Sequence, residues 1–327
     1  MKALLVRPGP HFSVQDVASG WVKGLRANGV DVADFNLDDR LGFYAEHPKV
    51  KNGQDAARLA AKGIEAACYE FRPDVVVFVS GFFIPPETFL AIRGNSTKVV
   101  LVHTESPYED DKQIQRAPFA DLNIVNDPIN LEQYPSGSMY LPHCYDPDVH
   151  HPQPATDPAR SDFAFVGTGY PSRREFFEQV DWSGIDVTFA GNWAHLPDES
   201  LLRGFMAHDI EECCPNDQAA VLYASTKVSA NLYRKEATAT ADGWAMGPRE
   251  VELAAMGTFF LREPRGEGDE VLPTLPTFSD PADFEDQLRW WLAHDDARTE
   301  AARLARLAVM DRTFPKIAAR MLNRLGV

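Results

Sequence analysis

Short apolar runs alternate with amphipathic stretches through the first 145 residues. KALLVRPG (2–9) stays apolar up to a Gly/Pro stop and predicts a buried strand. VQDVASGWVKGLRANG (14–29) has helical spacing, with Ser13 as its cap and Asn28-Gly29 as its stop. VDVADFN (30–36), DVVVFVSG (74–81), TKVVLVHTE (97–105), DLNIVND (121–127) and SMYLPHC (138–144) predict further strands. DAARLAAKGIEAACYEF (55–71) predicts a strong helix. Runs of β-branched residues buried on both faces and joined by helices mean a parallel sheet with helices on either side.

Residues 146–160 carry four prolines and no periodicity, which marks a linker. The alternation then restarts. DFAFVGTG (162–169), IDVTFAGNW (185–193), KVSANLY (227–233) and TFFL (258–261) read as strands; SRREFFEQV (172–180) and DQAAVLYAS (217–225) read as helices. Residues 281–310 read as one long helix, with Phe284, Leu288, Trp291 and Leu292 on its core face. The predicted fold class is α/β: two Rossmann-like, doubly wound parallel-sheet domains, 1–145 and 161–327, facing a cleft. The last helix is expected to pack back on the N-terminal domain.

Composition narrows the function. The chain has 327 residues, enough for two domains, and its 44% hydrophobic and 24% charged content suits a soluble globular protein. Acids outnumber bases 48 to 32, a net charge of −16, with no basic block. That argues against a protein living on phosphate-backbone contacts, without excluding a local basic groove. Cys68, Cys144, Cys213 and Cys214 form no C-x-x-C pair and read as idle thiols of a reducing compartment. The N-terminal apolar run is too short for a signal peptide, and no stretch reaches the ~20 residues of a membrane span. A cytoplasmic location is expected.

Ligands of such sheets bind beyond the carboxyl ends of the strands, so the loops there carry the candidates. In WAMGPREVELAAMG, Gly247-Pro248 fits a helix start, whose free N–H groups favour an anion. Arg249 adds a cation suited to phosphate, and Glu252, three residues on, shares its face and could accept from a vicinal diol such as a ribose. The competing reading is an ordinary helix N-terminus with dipole-favoured acids; Glu250, on another face, is read that way. Arg173 and Arg174 oppose the dipole at the helix start after Gly167-Thr168-Gly169, a conflict that a docked anion would resolve. Lys227 and Asn231 flank the strand before the key helix and join the same cationic set, explained jointly by a bound diphosphate. His11, His103 and Glu105 follow strands of the first half and are the candidates for deprotonating an acceptor hydroxyl. Glu109-Asp110-Asp111 reads as dipole-favoured acids, and His143, His150 and His151 lack a convincing ligand set, so no metal is expected.

GPREVELAAMGTFFL, followed by GDEVLPTLPTFSDPADFEDQLRWWLAHDDAR, resembles the C-terminal donor domain of GT-B glycosyltransferases. It is most similar to the "glycosyl transferases group 1" branch that includes CgeB-like proteins. LPHCYDPDVHHP and DFAFVGTGYPSRREFF resemble that family's approach to the linker and its first donor-domain strand; before about residue 140 the resemblance is architectural. The family's Arg, Glu and Gly fall on Arg249, Glu252 and Gly257, and its acidic loop on Glu270. The resemblance implies that Glu252 contacts the ribose of a nucleotide-sugar. Many retaining relatives carry a second glutamate eight residues before this one, where Trp244 stands here. The pair is absent, and with it the basis for transferring a retaining outcome.

The expected function is therefore metal-independent transfer from a nucleotide-diphosphate sugar, UDP- or GDP-linked, to a hydroxyl acceptor. That co-substrate takes the place of a cofactor. Polysaccharide, protein, a metabolite and a modified base in DNA stay open as acceptors. The alternatives are a non-catalytic nucleotide- or sugar-binding protein and a nucleotide-sugar epimerase of the same fold.

Overall fold

A computed structural model describes residues 1–10, 14–93, 97–157, 160–235 and 243–326. The chain divides into two compact units. Unit one holds the described residues of 1–142, Gly243, Trp244 and the segment from Thr313 onward; unit two holds the described residues of 143–240 together with Ala245–Arg312.

Unit one runs β1 (Lys2–Val6), α1 (Gln15–Ala27), β2 (Asp31–Phe35), α2 (Leu37–Ala45), α3 (Gly53–Phe71), β3 (Val75–Val79), α4 (Pro86–Arg93), β4 (Lys98–His103), α5 (Asp110–Arg116), β5 (Leu122–Val125) and β6 (Met139–Tyr140). The six strands form one sheet in the order β2-β1-β3-β4-β5-β6, parallel throughout. β3 is buried at every position, as expected of a strand covered on both faces. The predicted cap Ser13 lies outside the described residues; Val14 holds the cap position of α1 and makes no side-chain cap. At the other end Gly29 takes a positive φ of 76°, which suits its place in the stop.

Unit two runs β7 (Ser161–Val166), α6 (Pro171–Phe177), β8 (Val187–Ala190), α7 (Asn216–Ser225), β9 (Thr226–Asn231), α8 (Pro248–Met256), β10 (Phe260–Arg262), α9 (Gly266–Val271), α10 (Pro281–Ala293) and α11 (Asp295–Val309). Its sheet has the order β10-β9-β7-β8, again all parallel. Phe163, Phe165, Phe177, Phe189, Trp182 and Phe284 fill the core with edge-on ring contacts such as Phe165–Phe177, 4.9 Å between centroids. The single helix expected over 281–310 is two helices that break at His294, whose backbone (φ −122°, ψ 68°) leaves the helical region.

The last helix, α12 (Phe314–Leu325), belongs to unit one and packs on α1. Two glycines make that approach. A Cβ on Gly20 would meet the Phe314 ring at 2.1 Å, and one on Gly24 would meet the Phe314 carbonyl oxygen at 2.6 Å. The Asn28 amide donates to the Pro315 carbonyl at 2.8 Å. No helix among the described residues is long and apolar enough to cross a membrane.

Candidate functional site

In unit two, β7 has β8 on one side and β9 on the other. The connections therefore turn in opposite directions at β7 and β9, and the crevice beyond their carboxyl ends is where an open α/β sheet receives a ligand. Three glycines shape the loop after β7. Gly191, at φ 102°, packs against Gly167, whose carbonyl oxygen a Cβ would meet at 2.4 Å. Gly169 packs on Trp193, and Gly167 on the guanidinium of Arg249, 2.3 Å from the place of its missing Cβ. A side chain at Gly167 would push Arg249 out of position.

Arg249 comes from the first turn of α8 and reaches this same loop. Its guanidinium carbon lies 4.7 Å from the Phe165 ring centroid, and Nη1 donates to Asn231 Oδ1 at 3.2 Å, at the carboxyl end of β9. Stacking on an aromatic face and a fixed amide acceptor hold a guanidinium in one orientation. Nε of Arg249 and Nδ2 of Asn231 are buried with no hydrogen-bond partner among the described residues. Asn231 is also within reach of the helix start: Nδ2 lies 3.9 Å from the place a Gly247 Cβ would take. Glu252, one turn into α8, keeps its side chain 19% exposed. Arg249, Asn231 and the start of α8 thus gather at the switch point of one sheet, with Glu252 one turn further along the helix.

Glu250 is a correction. Far from decorating the surface, it is 0% exposed. Its carboxylate accepts from the Gly247 N–H at 2.7 Å and from the Tyr233 hydroxyl. An acid at the third helical position that bonds back to the N-cap amide is half of a capping box, and glycine cannot supply the other half. Burial pushes the carboxyl up to about 7, against the pull of Tyr233, the Gly247 N–H, Arg262 and Arg265. Arg262 is 2% exposed, donates to Asp269 at 2.6 Å, and occupies the space a Cβ on Gly268 would need. Arg265 stacks on Tyr233 at 3.6 Å. This buried acid–base knot fixes the start of α8. Sequence reading missed Tyr233, Arg262 and Arg265; for the two arginines the run REPRGE, which starts at the last residue of β10, was the available signal.

Other expected residues fall elsewhere. Arg173 is buried and donates to the Leu232 carbonyl at 2.6 and 3.2 Å and to the Thr168 carbonyl at 3.0 Å. It ties the loops after β7 and β9 together, so its place in a helix start is explained by carbonyls rather than by a docked anion. The loop amides are engaged too: the Gly167 and Gly169 N–H groups donate to the Ala190 and Asn192 carbonyls. Arg174 is half-buried and makes no side-chain hydrogen bond or ion pair among the described residues. Lys227 opens β9, at the amino end of the sheet, and pairs with Asp162 at 2.7 Å. It stands at the wrong end of its strand for the switch-point crevice.

In unit one, His103 ends β4 but is 0% exposed. The Asn123 amide nitrogen donates to the Ala117 carbonyl, so Asn123 Oδ1 faces His103 Nε2 at 2.9 Å and Nε2 carries the proton. Burial drives the imidazole down to about 4. A sealed neutral ring cannot take a proton from a substrate hydroxyl, which removes His103 as the base. Glu105 is half-buried beyond the same strand, its N–H donating to Gln113 Oε1 at 3.0 Å. His11 lies outside the described residues. Asp110 is no surface acid either: it is buried and accepts from Ser106, Gln113, Asn130 and Tyr134. Among the described residues no group of three His, Cys, Asp or Glu is arranged to hold a metal ion.

Comparison with known proteins bears on the fold and the family. The glycosyl transferase-like family matches residues 173–323, a span that includes α8. A solved trehalose-6-phosphate synthase, OtsA, superposes with a TM-score of 0.69 at 9% identity, covering 100% of this chain and 99% of its own. An α-glucosyltransferase in complex with UDP gives 0.63 at 9% identity, covering 99% and 98%. A putative UDP-N-acetylglucosamine 2-epimerase from Listeria monocytogenes gives 0.62 at 12% identity, covering 99% and 95%. No curated protein matches the sequence. Likeness at such identities carries the fold, that of the GT-B glycosyltransferases, and the glycosyl transferase-like match over residues 173–323 supports a glycosyltransferase enzyme.

Proposed function

We propose that the protein transfers a sugar from a nucleotide-diphosphate sugar to a hydroxyl acceptor, with unit two as the donor-binding unit. The observation that carries this reading is the convergence of Arg249, Asn231 and the α8 N-terminus at the β7/β9 switch point, with Glu252 one turn further along the helix. The diphosphate is bound by Arg249 and the positive end of α8, with the Asn231 amide donating beside them. Glu252 accepts from the ribose hydroxyls. As the sugar leaves, charge builds on the diphosphate, and donors held in place by Phe165 and Gly167 stabilise it without reorganising. The guanidinium and helix dipole take the part that a divalent cation would otherwise play, so transfer is expected to survive exhaustive chelation. UDP- or GDP-linked sugars are the proposed donors, and Glu105 is retained as the acceptor-side base.

Saturation-transfer NMR of the full chain with UDP, GDP, ADP and dTDP tests the reading. One nucleoside diphosphate should show contacts from both base and ribose protons; no contact from any of them would sink it. Incubating the matching nucleotide-sugar without acceptor separates transfer from epimerisation, because an epimerase converts the sugar while it is still attached. Slow release of free nucleotide, with no epimer, is the expected result.

A further inference from the structure

The proline-rich stretch before β7 carries a group that the donor reading leaves unused. Tyr145, whose N–H donates to the Arg312 carbonyl at 2.9 Å, leads into a turn. The Val149 and His150 N–H groups donate to the Asp146 carbonyl at 3.1 and 2.8 Å, and the Gln153 amide donates to the Val149 carbonyl at 3.1 Å. This turn holds the His150 side chain, 1% exposed, with Nε2 3.9 Å from Glu252 Oε1. Neither ring nitrogen has a hydrogen-bond partner among the described residues. A buried imidazole without a partner is costly, and such orphans call for an explanation. The separation is too long for a hydrogen bond, but a shift of about 1 Å would make one. His150 is sealed in its turn and Glu252 is part exposed, so the carboxylate is the side that would close the gap.

We propose that His150 is a positioning residue for Glu252. Its Nε2–H takes one carboxylate oxygen of Glu252 when the other accepts from the ribose hydroxyls of a nucleoside diphosphate. A carboxylate has two oxygens and about four acceptor positions, so the two roles do not compete. The bond stops the carboxylate from rotating and makes His150 a determinant of ribose over deoxyribose. The inference rests on the assignment of Glu252 to the ribose.

Calorimetry on the full chain with UDP and 2′-deoxy-UDP tests it, with GDP and 2′-deoxy-GDP as the parallel pair. Wild type should prefer the ribonucleotide about tenfold, the scale of one hydrogen bond to a charged group. His150→Leu should weaken the ribonucleotide about five- to tenfold and the deoxy form less than twofold, collapsing the preference. His150→Gln, whose amide nitrogen comes near the Nε2 position, should keep most of the preference, and His150→Asn should not. If His150→Leu fails to fold, the Gln/Asn contrast decides, and equal behaviour of the two overturns the proposal. A full preference in His150→Leu, alongside its loss in Glu252→Ala, also overturns it and leaves Glu252 on the ribose. An undiminished preference in Glu252→Ala, or no binding of either nucleotide pair, overturns the reading beneath it.

Discussion

The two ends of the unit-two sheet both carry a cation beside a carboxylate, and they use them differently. At the amino end, exposed Lys227 pairs with Asp162 beside a groove of about 650 Å³ that also runs past Gly257 and Arg298. Burial works against the Asp162 charge, but the Lys227 hydrogen bond wins and its carboxyl sits below the ordinary range. At the carboxyl end, Arg249 is stacked, aimed and backed by glycine, and the carboxyl behind it, Glu250, is pushed up to about 7 by burial. The amino end is a solvated ion pair of small worth. The carboxyl end is a pre-positioned cation at a helix start. Charge alone does not mark a ligand site; the sheet end and the rigidity of the charge do.

Four measurements would break or sharpen that contrast. The largest effect is expected at Glu250. Its pKa is raised on folding from 4.5 to about 7, so its stability contribution is fully present below about 4.5 and is lost as pH rises through 7. Denaturant titrations should show wild type losing up to about 3 kcal/mol across that window from this group, and Glu250→Gln a flatter profile. Identical slopes would place the carboxyl in contact with water after all. Next, Arg249→Ala should weaken nucleoside diphosphate binding roughly 100-fold, with Arg249→Lys recovering only part of it, because a point charge cannot reproduce the stacked fork. Unchanged affinity in a calorimetric titration would take the diphosphate away from α8. Glu252→Ala should cost about tenfold in the same titration. Last, Lys227→Ala should change donor affinity less than about twofold and stability by under about 1 kcal/mol. A loss comparable to that of Arg249 would move the donor to the amino end and undo the contrast.

The strand pattern was legible because period-2 and fully apolar runs follow directly from which faces a parallel sheet buries. GPREVE was legible as a helix start for the same local reason. The errors share one physical cause: a side chain's environment depends on residues far away in sequence. His103 looked like a strand-end polar group until Asn123, twenty residues on, closed over it. Arg173 opposed its helix dipole only until the Leu232 carbonyl, 59 residues on, came into view. Glu250 shares its helix with Glu252, and only Tyr233, Arg262 and Arg265 make one a buried knot and leave the other part exposed. Lys227 could have been placed from sequence, since a residue that opens a parallel strand lies at the end away from the ligand crevice.

The sequence by itself determined two parallel α/β units and the helix start that gathers the candidate donor residues, because apolar periodicity, Gly/Pro stops and first-turn chemistry are local. Only the tertiary structure decided the state of each charge. It seals His103, raises the Glu250 carboxyl by burial, turns Arg173 onto carbonyls and sets His150 against Glu252. Solvation and hydrogen-bond partners are supplied across the fold, and no local pattern encodes them.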